Sequence, residues 1–239
     1  MNGLFLLKKK LFLLLISLIF PSFLFSQTLT IVSTQLPTYI YAENNINKGF
    51  NVEILNTIFN KMGIEVKYLI VPWARAVMMI ENGRADAIFP FFKTKKRELF
   101  VSFTDSFTSE PITMFVLKFS PISYDGNLKS LSSYRFGRVK AYSSGPIFDN
   151  AVNSGIVEVE EAVTSEQNLK KFFKRRFHIL VDNQYNILYQ LKKQKKLKDV
   201  KELKPIISET KAYLGFTKKR NFDEIIRKFN SILKEMKDD

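Results

Sequence analysis

Cysteine is absent from the 239 residues. Its absence excludes a disulfide scaffold, thiol catalysis and a lipoprotein anchor, which needs a cysteine at the cleavage site. Histidine occurs once, as His178, inside the apolar run Phe177 to Val181. It is expected to be a packed core residue rather than a base or a ligand. A Ser-His-Asp hydrolase therefore finds little support. No His/Asp/Glu group has metal-ligand spacing, and no cofactor is expected. Acidic residues are the minority, 23 against 37 basic ones, for a formal charge of +14. That surplus suits anionic ligands, nucleic acid or acidic membranes in general. Much of it, however, sits in Lys170 to Arg176 and Lys192 to Lys204. Both stretches read as surface helices or turns, where a solvated basic face is the simpler account. No nucleic-acid fold signature is present, and no nucleic-acid partner is expected.

Long apolar runs are equally scarce. The single one, Leu11 to Phe25, follows Lys8, Lys9 and Lys10 and is interrupted by Pro21. A membrane span needs about 20 apolar residues. The pattern is that of a secretory signal peptide over residues 1–26, cut after Ser26, with an uncleaved anchor as the alternative. The mature chain is then periplasmic or otherwise extracytoplasmic. Removing the three lysines of residues 1–26 from the 37 basic residues leaves 34 against 23 acidic.

What is present is an alternation of strand and helix patterns. Leu29 to Ser33 is β-rich. Leu55, Ile58, Phe59 and Met62 recur at helical spacing before Gly63. Ile64, Val66, Tyr68 and Ile70 alternate with Glu65, Lys67 and Leu69, as in a half-buried strand. A second helix runs through Val77, Met78 and Ile80 to Gly83, and Ala85 to Phe89 is a buried strand. The order β-α-β-α-β implies parallel strands with helical crossovers. It begins again at Tyr134 to Val139, a strand followed by a helix opened by Pro146. Ile156 to Val159 and Phe177 to Val181 are strands. Thr164 with Gln167 resembles a capping box for the helix between them. Asn183 to Lys193 is a further helix. Two β-rich connections, Ile112 to Lys118 and Ala212 to Thr217, join the units. The last helix, with Phe222, Ile225, Ile226, Phe229, Leu233 and Met236 on one stripe, is placed back on the first. Lobe 1 is thus residues 27–117 with 213–239 returning to it, and lobe 2 is residues 118–212. A ligand would sit in the groove between them.

Five pieces, in order, carry a resemblance over essentially the whole mature chain. They are Gly49-Phe50-Asn51-Val52-Glu53, Pro72-Trp73-Ala74-Arg75-Ala76, Gly83-Arg84-Ala85-Asp86-Ala87, Thr94-Lys95-Lys96-Arg97 and Val101-Ser102-Phe103-Thr104-Asp105. Together they resemble the family 3 bacterial extracellular solute-binding proteins, which serve polar amino-acid ABC transporters. The resemblance implies an α/β fold of the two-lobed type II periplasmic-binding-protein kind, each lobe a mixed sheet flanked by helices, joined by two hinge strands. It implies a non-enzymatic monomer that binds a small carboxylate-bearing solute for an ABC transporter permease. Arg97 matches the arginine that pairs with the ligand carboxylate, a task suited to two parallel N–H groups. Asp182 matches the aspartate that holds the ammonium. Trp73 matches an aromatic wall of the cleft, and Arg75, two residues on, is placed on the same cleft. Tyr142-Ser143-Ser144-Gly145 matches a loop whose hydroxyls and N–H groups bind an anion, while Ser144 is also positioned to cap its own helix. The expected contacts are therefore Tyr39, Trp73, Arg75, Phe91, Thr94, Arg97, Ser143, Ser144 and Asp182.

The chain also departs from the family pattern. Before Thr94 stands the bulky run Phe89-Pro90-Phe91-Phe92-Lys93, where relatives carry small polar residues. Leu36 takes the place of a stacking tyrosine, with Tyr39 and Tyr41 nearby. The carboxylate site is retained and the rest of the pocket is altered. Two other functions fit the same scaffold. One is a sensor module for a separate membrane receptor. The other is a dehydratase-like enzyme, for which Glu110 and Glu53 are the acid/base candidates.

Overall fold

The computed structural model describes residues 28–238. The expected signal peptide, residues 1–26, lies outside them. The first unit comprises β1 (Thr28–Ser33), a hairpin of β2 (Tyr41–Glu43) and β3 (Ile46–Lys48), and α1 (Phe50–Lys61). It continues through β4 (Glu65–Ile70), α2 (Trp73–Glu81), β5 (Ala87–Phe92), α3 (Lys95–Glu98) and β6 (Val101–Phe103). Strand β1 pairs in parallel with β4 on one side and β5 on the other. Val52, Leu55, Ile58 and Phe59 bury one face of α1, as their helical spacing requires. Strand β5, parallel to β1 and antiparallel to β11, is buried at every residue because helices pack on both of its faces.

The second unit begins with β7 (Thr108–Leu117) and a 3-10 turn at Leu128–Leu131. Then come β8 (Arg135–Val139), α4 (Pro146–Asn153), β9 (Glu158–Ala162), α5 (Ser165–Phe173), β10 (Ile179–Asn183) and α6 (Gln184–Lys193). Strand β8 is parallel to β9 and β10. Thr164 Oγ1 accepts from the Gln167 N–H at the start of α5, and Gln167 Oε1 accepts from the Val163 N–H, one residue before the reciprocal bond expected of a capping box. His178 is not a core residue. Phe177 and Ile179 turn inward, so the intervening ring is exposed, and its Nδ1 accepts from the Arg135 N–H at 3.0 Å.

The two units share one sheet. Strand β11 (Val200–Thr217) runs antiparallel to β7 from Val200↔Leu117 to Ala212↔Thr108, then beside β5 and β6. The connections expected at 112–118 and 212–217 are thus parts of strands of 10 and 18 residues. The chain closes with α7 (Asp223–Asp238), whose Phe229 and Leu233 pack among Leu29, Phe59 and Phe216. Asp86 fixes this return. It accepts from the Thr30 N–H at 2.8 Å and pairs with Arg220 at 2.6 Å.

Candidate functional site

Between the two lobes lies a cavity. Its apolar walls are Leu36, Trp73, Pro90, Phe92 and Ile112. Its polar lining combines Thr34 and Arg97 of the first lobe with Tyr142, Ser143, Ser144 and Asp182 of the second, and with Glu110 on the shared strand β7. The lobes are closed on one another. Ala141, the residue before Tyr142, presents its carbonyl to the first lobe. That oxygen accepts from Trp73 Nε1 at 3.0 Å and from Arg97 Nη2 at 3.2 Å. Ala141 sits at φ +64°. A non-glycine residue held in that region costs about 1–3 kcal/mol and persists where its surroundings fix it. Tyr39 against Tyr185 (6.3 Å between ring centres), Tyr41 against Tyr189 (6.5 Å) and Trp73 against Tyr142 (5.6 Å) add aromatic contacts across the same gap.

Arg97 is carried by the short helix α3, whose cap Thr94 accepts the Arg97 N–H through Oγ1. The guanidinium lies over the Phe91 ring, 4.2 Å from its centre, and donates to the Phe92 carbonyl at 2.9 Å. It is buried, yet no carboxylate among the described residues pairs with it. Burial lowers its pKa to about 10, and the Asp149 charge opposes that shift. Two of its five N–H groups are occupied, which leaves donors for an anion.

Asp182 is buried at the end of β10. It accepts from Ser165 Oγ at 2.6 Å, from the Asn183 N–H at 2.8 Å and from Asn186 Nδ2 at 3.3 Å. Burial raises its pKa to about 6, against the lowering effect of those bonds. It too lacks an ion-pair partner among the described residues. An uncompensated buried charge is costly. Arg97 and Asp182 carry opposite charges, come one from each lobe and line one cavity.

The cavity unites Trp73, Arg97, Ser143, Ser144 and Asp182 from the expected contacts. Others stand outside it. Phe91 is buried beneath the guanidinium, and Thr94 acts as the α3 cap. Tyr39 is buried against Phe50 and lines a separate depression with Tyr185. Arg75 is exposed and does not share the face of Trp73, because two residues on a helix are about 200° apart. Ser144 does not cap α4. Gly145 occupies the cap position, and Asp149 turns back to accept from the Ser144 N–H at 3.0 Å and from the Ser143 hydroxyl. Glu53 is exposed on α1. Glu110, the other acid/base candidate, lines the cavity; it is 4% exposed, and burial pushes its carboxyl up to about 8. Reading the sequence also missed Thr34 and Ile112 as lining residues. Leu36, noted only as a replaced tyrosine, is a wall.

Residues 29–239 match the family described as bacterial extracellular solute-binding proteins, family 3. No curated protein matches the chain. Several solved structures do. An ancestral arginine-binding protein bound to arginine is 20% identical, with a TM-score of 0.75 over 89% of this chain and 93% of its own. The substrate-binding protein of an amino acid ABC transporter is 18% identical, with a TM-score of 0.73 over 88% and 93%. A histidine kinase sensor domain with similarity to periplasmic binding proteins is 17% identical, with a TM-score of 0.78 over 88% and 90%. These likenesses carry the type II periplasmic-binding-protein fold. The family match spans nearly the whole of the described chain, and the chain belongs to the bacterial extracellular solute-binding proteins, family 3.

Proposed function

We propose that this protein captures a small zwitterion, an amino acid or a close analogue, between lobes divided near residues 117 and 213 and hands it to an ABC-type permease outside the cytoplasm. One observation carries the reading. The buried Arg97 guanidinium and the buried Asp182 carboxyl come from opposite lobes, line one cavity and have no ion-pair partner among the described residues. A ligand carboxylate takes the free N–H groups of Arg97, and its ammonium takes Asp182. Both contacts exist only when the lobes meet, so the ligand favours the closed state and drives closure. The relatives fit this reading, since one binds arginine and another serves an amino acid transporter. The signal peptide supplies the export, and the site works by binding without turnover.

A thermal-melting panel of amino acids, short peptides and organic acids tests the proposal. At a hundredfold excess over Kd a ligand adds about 2.7 kcal/mol, which raises Tm by roughly 5–10 °C at this chain length. The rise should vanish in Arg97→Ala and in Asp182→Asn. A ligand that stabilises those variants as well as the wild type overturns the reading.

The likeness to a histidine kinase sensor domain favours a second use of the same closure, signalling to a membrane receptor. Capture of a kinase rather than a permease by the ligand-loaded protein selects that alternative.

A further inference from the structure

The cavity holds one acid more than the Arg97–Asp182 clamp uses. Glu110 lies on β7, opposite Thr210 of β11 and next to the pairing of β7 with β10. Its Oε2 accepts from Asn183 Nδ2 at 2.9 Å. Its Oε1 is buried, has no hydrogen-bond partner, and belongs to a side chain that lines the cavity. A buried carboxyl oxygen without a partner is costly, and such groups in native proteins call for an explanation. Asp182 and Asn183 are consecutive on β10, so Glu110 stands beside the ammonium end of the clamp.

We propose that Glu110 is a specificity-determining residue whose free oxygen receives a second hydrogen-bond donor of the ligand, close to the ammonium held by Asp182. This rests on the proposed zwitterion clamp and narrows its ligand. Charge points the same way. Arg97 is the sole basic side chain lining the cavity among the described residues, and it faces two carboxyls. A plain zwitterion neutralises one acid and leaves the other facing apolar walls. A solute with an additional ammonium or other strong donor one or two carbons from the first satisfies both. Asn183 fixes the Glu110 carboxyl in place by donating to Oε2, which leaves Oε1 as the oxygen without a partner. The raised pKa of Glu110 agrees with this. Without such a guest, burial favours its protonated form, with the Asn183 bond opposing and the Asp182 charge adding to the rise.

Matched ligand pairs test the role. L-2,3-diaminopropionate is compared with L-2-aminobutyrate, and L-serine with L-alanine, by calorimetric titration and thermal melting of the mature chain. In the wild type the donor-bearing member of at least one pair should bind roughly tenfold tighter or better, the gain expected of a hydrogen bond to a charged group. In Glu110→Gln, which keeps an acceptor for Asn183, the ratio within that pair should collapse toward one. Glu110→Met gives the same readout should the glutamine variant misfold. A ratio that survives both substitutions overturns the role of Glu110 while leaving the clamp standing. A wild type that binds the plain members as tightly as their partners also overturns it. If no member of any pair binds, the clamp reading falls and this inference falls with it.

Discussion

Burial fixes the sign of the pH response at Glu110 and Asp182. Desolvation raises Glu110 from an ordinary 4.5 to about 8, and Asp182 from 3.8 to about 6. The other ionisable groups around them are Arg97, Tyr39 and Tyr142; burial keeps both phenols neutral well beyond this range. Through the interval between ordinary and raised values, the folded protein holds protons that the unfolded chain has released. The stability they contribute is fully present below about pH 4 and is lost as pH rises through the folded values. The Tm of the ligand-free protein should therefore fall between about pH 5 and about pH 8, and Glu110→Gln should flatten that fall. Melting curves across this range check it, and a rising Tm contradicts the assignment. The place of Arg97 in the cavity was legible from Thr94-Lys95-Lys96-Arg97, and that of Asp182 from the strand pattern that it ends. Glu110 stood out only as an acid/base candidate of the enzyme alternative, because its burial beside Asn183 depends on β10 and β11 closing over it. Arg75 misled for the opposite reason: it is close to Trp73 in sequence and on another face of the helix.

Among the elements, helices and parallel strands followed their periodicity closely. The strands that join the lobes did not. Charges and Pro205 break the pattern of β11, and the strand continues through a shift in register between Leu203 and Ser208 that local sequence does not announce. Lobe 2 depends on another local feature. Gly137 on β8 lies under Phe177, and a Cβ there would come within 1.9 Å of the Phe177 ring. Overpacking of this kind costs about 1–3 kcal/mol or more. Gly137→Ala should lower Tm by several degrees, roughly 2–4 °C per kcal/mol at this size. Adding Phe177→Leu should recover part of the loss, because the two sites touch. Circular dichroism melts of the three variants decide it; additive losses contradict the contact.

The molecule as a whole is a pair of α/β lobes strung on two shared strands, with a charged residue of each lobe lining a common cavity. Alternating β-α order and the resemblance made the two-lobed fold legible. The rest of the pocket emerged only in three dimensions, because Thr34 and Ile112 come from segments far apart in the chain. The family match joins this architecture to solute binding. Closure on the guest is the claim on which the proposed capture and delivery rest. A crystal structure of the protein with its tightest-binding amino acid tests it most directly. The account predicts the carboxylate within about 3 Å of the Arg97 guanidinium and the ammonium within about 3 Å of Asp182, inside closed lobes. A guest bound elsewhere, or one touching neither residue, would contradict it.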